Sequence, residues 1–109
     1  MNTAVLIMTY GSPERLEDVN EYLRGIFGNR PVPEKVLKEN IAKYERFGGR
    51  SPSNDIIKKI SRKLEKSLAS YGDFDVYVSN KHWYPSIDEK ISEIKGSFDR
   101  LIAIPLFSF

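Results

Sequence analysis

Cysteine is absent from this chain of 109 residues, and histidine and tryptophan occur once each, as His82 and Trp83. Without cysteine the chain has no disulfide, no thiolate metal ligand and no thiol nucleophile, so zinc-finger and iron–sulfur proteins are excluded. A single histidine also excludes a metal site that is built from two histidines of one chain.

Long apolar runs are absent as well. The apolar segments are much shorter than the ~20 residues that a membrane-spanning helix requires. The first residues, Met1-Asn2-Thr3, lack the basic region and cleavage site of a signal peptide. We therefore expect a soluble, cytoplasmic protein with no transmembrane segment.

The sequence has no large excess of either charge. It contains 17 basic and 15 acidic residues, which gives a net charge of +2. With so small a charge, and with no basic block or RNA-binding aromatic motif, nucleic acid is not an expected partner. A weakly basic cleft can still attract a small ligand that carries carboxylates or phosphates. The length is typical of one domain, which we predict to span residues 1–109.

Three short apolar segments predict β-strands. The run at residues 4–8 is apolar throughout, which is typical of a strand buried on both faces of a parallel sheet. Residues 76–78 and 101–104 predict two more strands, the last of them also buried. Helical spacing of apolar residues predicts helices at about residues 13–27, 34–47, 52–71 and 87–95. The resulting order, β-α-α-α-β-α-β, predicts an α/β fold with a parallel sheet.

Residues that favour helix ends support these boundaries. Ser12 followed by Pro13 predicts an N-cap and a first-turn proline. Ser86 with Glu89 three residues later is typical of a capping box. The pair Gly48-Gly49 predicts the end of the second helix.

Polar and aromatic residues follow the predicted strands. In open parallel sheets, ligands bind beyond the carboxyl ends of the strands. Tyr10 follows the first strand, and Lys81-His82 follows the second. A phenolate oxygen can ligate iron and an imidazole can move protons. The residues alone leave two other interpretations open, an aromatic lid for Tyr10 and an ordinary loop histidine for His82.

Several cations are candidates for binding an acidic ligand. Arg24, Arg30 and Lys43 could pair with carboxylates, or they could simply be solvated surface charges. A dinucleotide is not expected, because Gly11 is the one glycine after the first strand and the phosphate-binding fingerprint needs three.

Four segments together resemble the ferrochelatases, including the bacterial coproporphyrin ferrochelatases. These segments are "VLIMTYGSPERLEDVNEYLR", "KYERFGGRSP", "VSNKHWYPSIDEKI" and "LIAIPLFSF". Their order and spacing are similar to the N-terminal half of that family from about residue 4 onward. The resemblance implies a chelatase-like three-layer α/β/α fold that forms one half of a two-domain ferrochelatase. It also implies insertion of Fe²⁺ into a porphyrin in haem biosynthesis, with both as substrates and no cofactor.

The resemblance assigns functional residues position by position. Tyr10 matches a residue that lies by the porphyrin centre and can be an axial ligand of the iron. Further matching positions contact the macrocycle or its propionates: Arg24, Arg30, Lys43, Tyr44, Ser51 and His82. Where this chain has Lys43, family members often have arginine, and lysine lacks the two-pronged geometry that clamps a carboxylate.

The resemblance also shows what the chain lacks. Ferrochelatases carry a "Ser-Ala-His-Ser-Leu-Pro" type segment and a partner glutamate in their second half, and neither occurs here. No catalytic residue is therefore assigned, and we expect the chain alone to be inactive or to need a second chain, either a separate C-terminal half or a second copy.

Two alternatives remain from the sequence. Small homodimeric chelatases that insert cobalt or nickel have a similar length, but they usually carry histidine where this chain has Tyr10. The other alternative is a porphyrin- or haem-binding module without enzymatic activity.

Overall fold

The computed structural model describes residues 1–49 and 52–107. Within these ranges the strands and helices are β1 (Asn2–Thr9), α1 (Val19–Phe27), α2 (Glu34–Glu45), α3 (Ser53–Leu68), β2 (Asp73–Asn80), α4 (Ile87–Ile94) and β3 (Arg100–Pro105). A short 3₁₀ helix, Leu16–Asp18, precedes α1. The order β-α-α-α-β-α-β is as predicted, so the predicted α/β fold class is confirmed.

β1 is the central strand of the sheet. The strand order is β2-β1-β3, and both neighbours run parallel to β1. Val5 lies opposite Val76 of β2 on one side and opposite Ile102 of β3 on the other. Ala4, Val5, Leu6 and Ile7 are only 1–2% exposed. The predicted burial of this strand on both faces is therefore confirmed.

β3 does not follow the prediction of a buried strand. Leu101 is 47% exposed and Ile102 is 41% exposed. Within the described ranges, β3 is an edge of the sheet, and β1 is its one strand neighbour. The apolar sequence of β3 was correctly assigned to a strand, but burial depends on neighbouring elements that the segment itself does not specify.

The first helix begins later than predicted. The segment predicted as a helix over residues 13–27 starts with irregular backbone and the 3₁₀ helix, and α1 begins at Val19. Ser12 is not the N-cap, because α1 begins at Val19 and Asp18 occupies the cap position. The Ser12 hydroxyl instead donates to Oδ1 of Asn54 at 2.8 Å. Asn54 in turn donates from Nδ2 to the carbonyl oxygen of Ser12 at 3.2 Å. This reciprocal pair of hydrogen bonds holds Ser12 outside the helix.

The remaining boundaries differ from the prediction by a few residues. β2 begins at Asp73 rather than at residue 76, and α3 ends at Leu68 rather than at residue 71. The predicted cap of α4 is confirmed, because Ser86 Oγ accepts a hydrogen bond from the Glu89 N–H at 3.1 Å. No helix in the described ranges is long and apolar enough to span a membrane.

The chain divides into two compact units. The first combines Met1–Gly11 with the segment from Asp55 onward, and so contains the sheet, α4 and most of α3. The second is Ser12–Asn54, in which α1 packs against α2. Val19, Leu23 and Tyr44 are among the buried side chains of this second unit.

Candidate functional site

Predicted site residues of the first unit meet where the parallel strands end. Tyr10 follows β1, Lys81 and His82 follow β2, and Phe107 lies shortly after β3. The ring centroids of Tyr10 and His82 are 4.7 Å apart, with an angle of 65° between the ring planes. Lys81 Nζ lies 5.5 Å from the centroid of the Phe107 ring. We call these four residues the carboxyl-edge cluster.

Backbone hydrogen bonds fix the two loops of this cluster against each other. The Lys81 N–H donates to the carbonyl oxygen of Thr9 at 2.8 Å, and the His82 N–H donates to that of Tyr10 at 2.9 Å. The ladder between β1 and β2 thus continues past the strand ends. The edge-to-face contact between the Tyr10 and His82 rings is therefore supported by backbone hydrogen bonds between the two loops as well as by the side chains themselves.

Asn80 is a structural residue of the site that sequence reasoning missed. Its Oδ1 accepts a hydrogen bond from Thr9 Oγ1 at 2.7 Å. Its Nδ2 donates to the carbonyl oxygens of Tyr84 and Pro85, each at 3.1 Å. Asn80 is buried, so these bonds satisfy polar groups that water does not reach. An asparagine at a strand end is a signal for such local bonding, which could have indicated this role.

Gly11 allows the loop after β2 to approach the loop after β1. Its φ of +97° lies in the region that favours glycine. A Cβ at this position would lie 2.9 Å from Trp83 Cβ and 3.1 Å from the Trp83 backbone nitrogen. Because real Cβ atoms essentially never approach another atom to within 3.0 Å, a side chain at this position would force Trp83 to shift.

The environment of His82 favours the neutral imidazole. Burial lowers the pKa of His82 below its ordinary value, and the nearby positive charge of Lys81 lowers it further. A neutral ring keeps a nitrogen lone pair that can accept a proton or contact a metal ion. Tyr10 is 42% exposed, so its ring is accessible to a ligand.

The other predicted residues lie in the second unit. Arg24, Arg30 and Lys43 are exposed. The Arg30 guanidinium lies 5.1 Å from the centroid of the Phe27 ring, and Lys43 Nζ lies 5.3 Å from the centroid of the Tyr44 ring. Both cations therefore contact a neighbouring aromatic ring while remaining accessible.

Tyr44 has a structural role that the sequence did not reveal. It is only 5% exposed, and burial raises the pKa of its phenol. Its carbonyl oxygen accepts the N–H groups of Phe47 and Gly49, which terminates the helical segment. Ser51, the remaining predicted site residue, lies outside the described residues.

The glycine pair after α2 lines a cavity of the second unit. Gly48 and Gly49 face the segment Glu14–Glu17 across a space of about 280 Å³. A Cβ added to Gly49 would lie 3.7 Å from Leu16 Cγ, an ordinary contact distance. Gly48 and Gly49 thus follow the end of α2 and also line this cavity. The carboxylates of Glu14 and Glu17 and the guanidinium of Arg15 line its other side.

A metal centre made of several ionisable side chains is not found in the described ranges. They hold no group of three or more His, Asp or Glu residues arranged to bind a metal ion. The predicted contact of Tyr10 with iron stays a prediction.

An open parallel sheet with helical connections defines an α/β protein, and in such sheets ligands bind beyond the carboxyl ends of the strands. A sequence profile of the ferrochelatase family, described as Ferrochelatase, matches residues 2–109. The chain therefore belongs to the ferrochelatase family.

Three curated relatives that match this chain are longer than it. Ferrochelatase of Thermoplasma volcanium is 54% identical over 109 residues, which are 100% of this chain and 36% of that protein. Ferrochelatase of Thermoplasma acidophilum is 55% identical over 109 residues, 100% of this chain and 34% of that protein. Coproporphyrin III ferrochelatase of Nocardia farcinica is 36% identical over 92 residues, 84% of this chain and 26% of that protein. The chain spans about a third of the length of the two Thermoplasma relatives.

Proposed function

We propose that this chain supplies the porphyrin-facing part of a ferrochelatase, the enzyme that inserts Fe²⁺ into a porphyrin during haem biosynthesis. The observation that carries the proposal is the paired Tyr10 and His82, whose ring centroids lie 4.7 Å apart at the carboxyl edge of the sheet. This pair presents an accessible phenol beside a neutral imidazole in a chain that belongs to the ferrochelatase family.

Each predicted residue has a chemical role in this proposal. Tyr10 contacts the centre of the macrocycle and the iron. His82 stacks at its edge, and Lys43 and the two arginines, Arg24 and Arg30, pair with the propionates. Tyr44 and Ser51 complete the proposed set, as positions that the resemblance assigns to contacts with the macrocycle or its propionates.

The stoichiometry of the reaction supports a requirement for further polypeptide. Inserting Fe²⁺ displaces two pyrrole N–H protons, so the porphyrin loses two protons for each iron that it gains. Each proton needs an acceptor within hydrogen-bond reach. The chain has one histidine, and its neutral ring can take one proton at a time. We propose that the second acceptor, and the groups that desolvate the iron, come from a region that the relatives have and this chain does not span.

Porphyrin binding is the first test. The purified chain is titrated into coproporphyrin III and, separately, protoporphyrin IX, and the shift of the Soret absorbance band is measured. We expect Tyr10→Ala to weaken binding about tenfold, or about 1.4 kcal/mol. Tyr71→Ala is the matched control, because Tyr71 is a tyrosine of the same unit that is 81% exposed and lies beyond the end of α3. An absent Soret shift with both porphyrins, or equal losses in the two variants, contradicts the proposal.

Metal insertion distinguishes the alternatives. We expect the lone chain to bind porphyrin without forming Fe²⁺- or Zn²⁺-porphyrin. Metalloporphyrin formation by the lone chain would instead support the small homodimeric chelatase. Binding that never leads to insertion, even after the part of the Thermoplasma volcanium ferrochelatase that this chain does not span is added, would support a non-enzymatic porphyrin-binding module.

A further inference from the structure

The loop that carries His82 is closed by the residue that precedes it. Residues 81–85 lie between β2 and α4, and Asn80 is the last residue of β2. The Asn80 N–H donates to the carbonyl oxygen of Pro85 at 2.9 Å. Its side-chain Nδ2 donates to the carbonyl oxygens of Tyr84 and Pro85, each at 3.1 Å. Asn80 therefore fixes the far end of this loop against the end of its own strand.

The same side chain connects the loop to β1. Asn80 Oδ1 accepts a hydrogen bond from the hydroxyl of Thr9, the residue before Tyr10, at 2.7 Å. A Cβ placed on Gly11, the residue after Tyr10, would lie 3.2 Å from Asn80 Cβ. One buried amide thus lies against both sequence neighbours of Tyr10 and also closes the loop that carries His82.

The amide of Asn80 suits both kinds of hydrogen-bond partner. The carbonyl oxygens of Tyr84 and Pro85 need a donor, and the Thr9 hydroxyl, which donates, needs an acceptor. An ionised aspartate has the same shape but can only accept, and alanine offers neither group. Because Asn80 is only 8% exposed, water does not readily replace the bonds that either substitution would remove.

The hydrogen bonds of Asn80 differ from those of its neighbour in β2. Ser79 is fully buried, and its hydroxyl donates to the Ile7 carbonyl oxygen of β1 at 3.2 Å. That bond joins the same two strands and involves no residue of the loop. Asn80 joins the strands and in addition determines the course of residues 81–85.

We propose that Asn80 is a positioning residue of the porphyrin site, which fixes residues 81–85 so that the His82 ring stands edge-to-face against Tyr10. The two ring centroids lie 4.7 Å apart, and the His82 N–H donates to the Tyr10 carbonyl oxygen. This inference rests on the proposed function, in which Tyr10 and His82 contact the macrocycle. Asn80 acts through these two residues, because its own side chain is buried.

The test compares three variants of the whole chain. Asn80→Ala removes the amide, and Asn80→Asp keeps its shape without its donor. Ser79→Ala is the matched control, because it also removes a buried hydrogen bond between β1 and β2. Circular dichroism and urea denaturation identify conditions in which every variant is folded, and the remaining measurements are made there.

Two NMR measurements and one affinity report on the site. Nuclear Overhauser effects between the ring protons of Tyr10 and His82 should weaken in both Asn80 variants. In Asn80→Ala the titration midpoint of His82 should rise toward its ordinary value, because the loop buries the ring less while the charge of Lys81 remains. The affinity for coproporphyrin III, measured by the Soret shift, should fall about tenfold in both Asn80 variants. Ser79→Ala should match the unaltered chain in all three measurements.

A role of Asn80 in stability alone would give a different pattern. The Asn80 variants would then unfold at lower urea concentration but match Ser79→Ala in ring contact, titration and affinity, which overturns the inference. Loss of the ring contact with unchanged porphyrin affinity also overturns it and leaves the proposed function intact. An unaltered chain that gives no Soret shift contradicts the proposed function itself, and this inference with it.

Discussion

β1 and β3 are neighbouring strands with similar apolar sequences and opposite environments. Residues 4–7 of β1 are almost completely buried, whereas Leu101 and Ile102 of β3 are nearly half exposed. Leu6 and Leu101 lie on the same face of the sheet, since Ala4 pairs with Leu101 and Leu6 with Ala103. An apolar run therefore predicts a strand, and the position of that strand in the sheet decides whether the strand is buried.

The largest expected effect comes from truncating this matched pair of leucines. Leu6→Ala should destabilise the chain by about 2–5 kcal/mol, because it leaves a cavity in a closely packed core. Leu101→Ala should cost less than about 1 kcal/mol, because its side chain is already largely in water. Urea denaturation followed by Trp83 fluorescence measures both free energies of unfolding. Equal costs for the two variants would show that β1 and β3 do not differ in packing.

The second expected effect concerns the loop at the carboxyl end of β1. Gly11→Ala should cost about 1–3 kcal/mol through the positive φ. The short approach to Trp83 should add on the order of 1 kcal/mol. Thermal unfolding and the Trp83 fluorescence spectrum both report the change.

Gly96→Ala is the control for this loop. Gly96 also has a positive φ, +83°, but a Cβ there would meet open space. Gly96→Ala should therefore lower the free energy of unfolding only through the positive φ, by about 1–3 kcal/mol. If Gly96→Ala costs as much as Gly11→Ala, the close contact between the two loops contributes nothing to stability.

The smallest expected effect is the pH dependence of His82. Burial and Lys81 both lower its pKa, so the folded chain binds the proton less readily than the unfolded chain does. The stability that this group contributes is therefore present above the ordinary histidine pKa of about 6.5, and it is lost as the pH falls toward the lowered value. NMR titration of the imidazole carbon-bound protons should give a midpoint below 6.5.

Lys81→Gln tests the cause of this shift. Removing the positive charge should raise the pKa of His82 part of the way toward its ordinary value, and the effect of burial should remain. Lys63→Gln removes a charge on α3 that makes no contribution to the shift, so its titration should match that of the unaltered chain. A midpoint that does not move in Lys81→Gln would leave burial as the whole cause.

Much of the local structure could be predicted because its causes are local. The run at residues 4–8 specified a strand through its composition, and Ser86 with Glu89 specified the start of α4 through side-chain capping. The placement of Tyr10 and His82 at one edge followed from the parallel order of the strands. The start of α1 was missed, and the Ser12 hydroxyl that was expected to cap it bonds instead to Asn54, more than 40 residues away in sequence.

The sequence by itself determined the element order and the family. These depend on periodicity, on short-range capping and on motifs that a linear chain already contains. Only the tertiary structure decided that Tyr44 is buried, that Asn80 closes the loop beside His82 and that β3 is exposed. Burial and long-range hydrogen bonds are properties of what surrounds a residue, and in this protein β1 is buried between its two neighbouring strands while Leu101 and Ile102 of β3 are exposed.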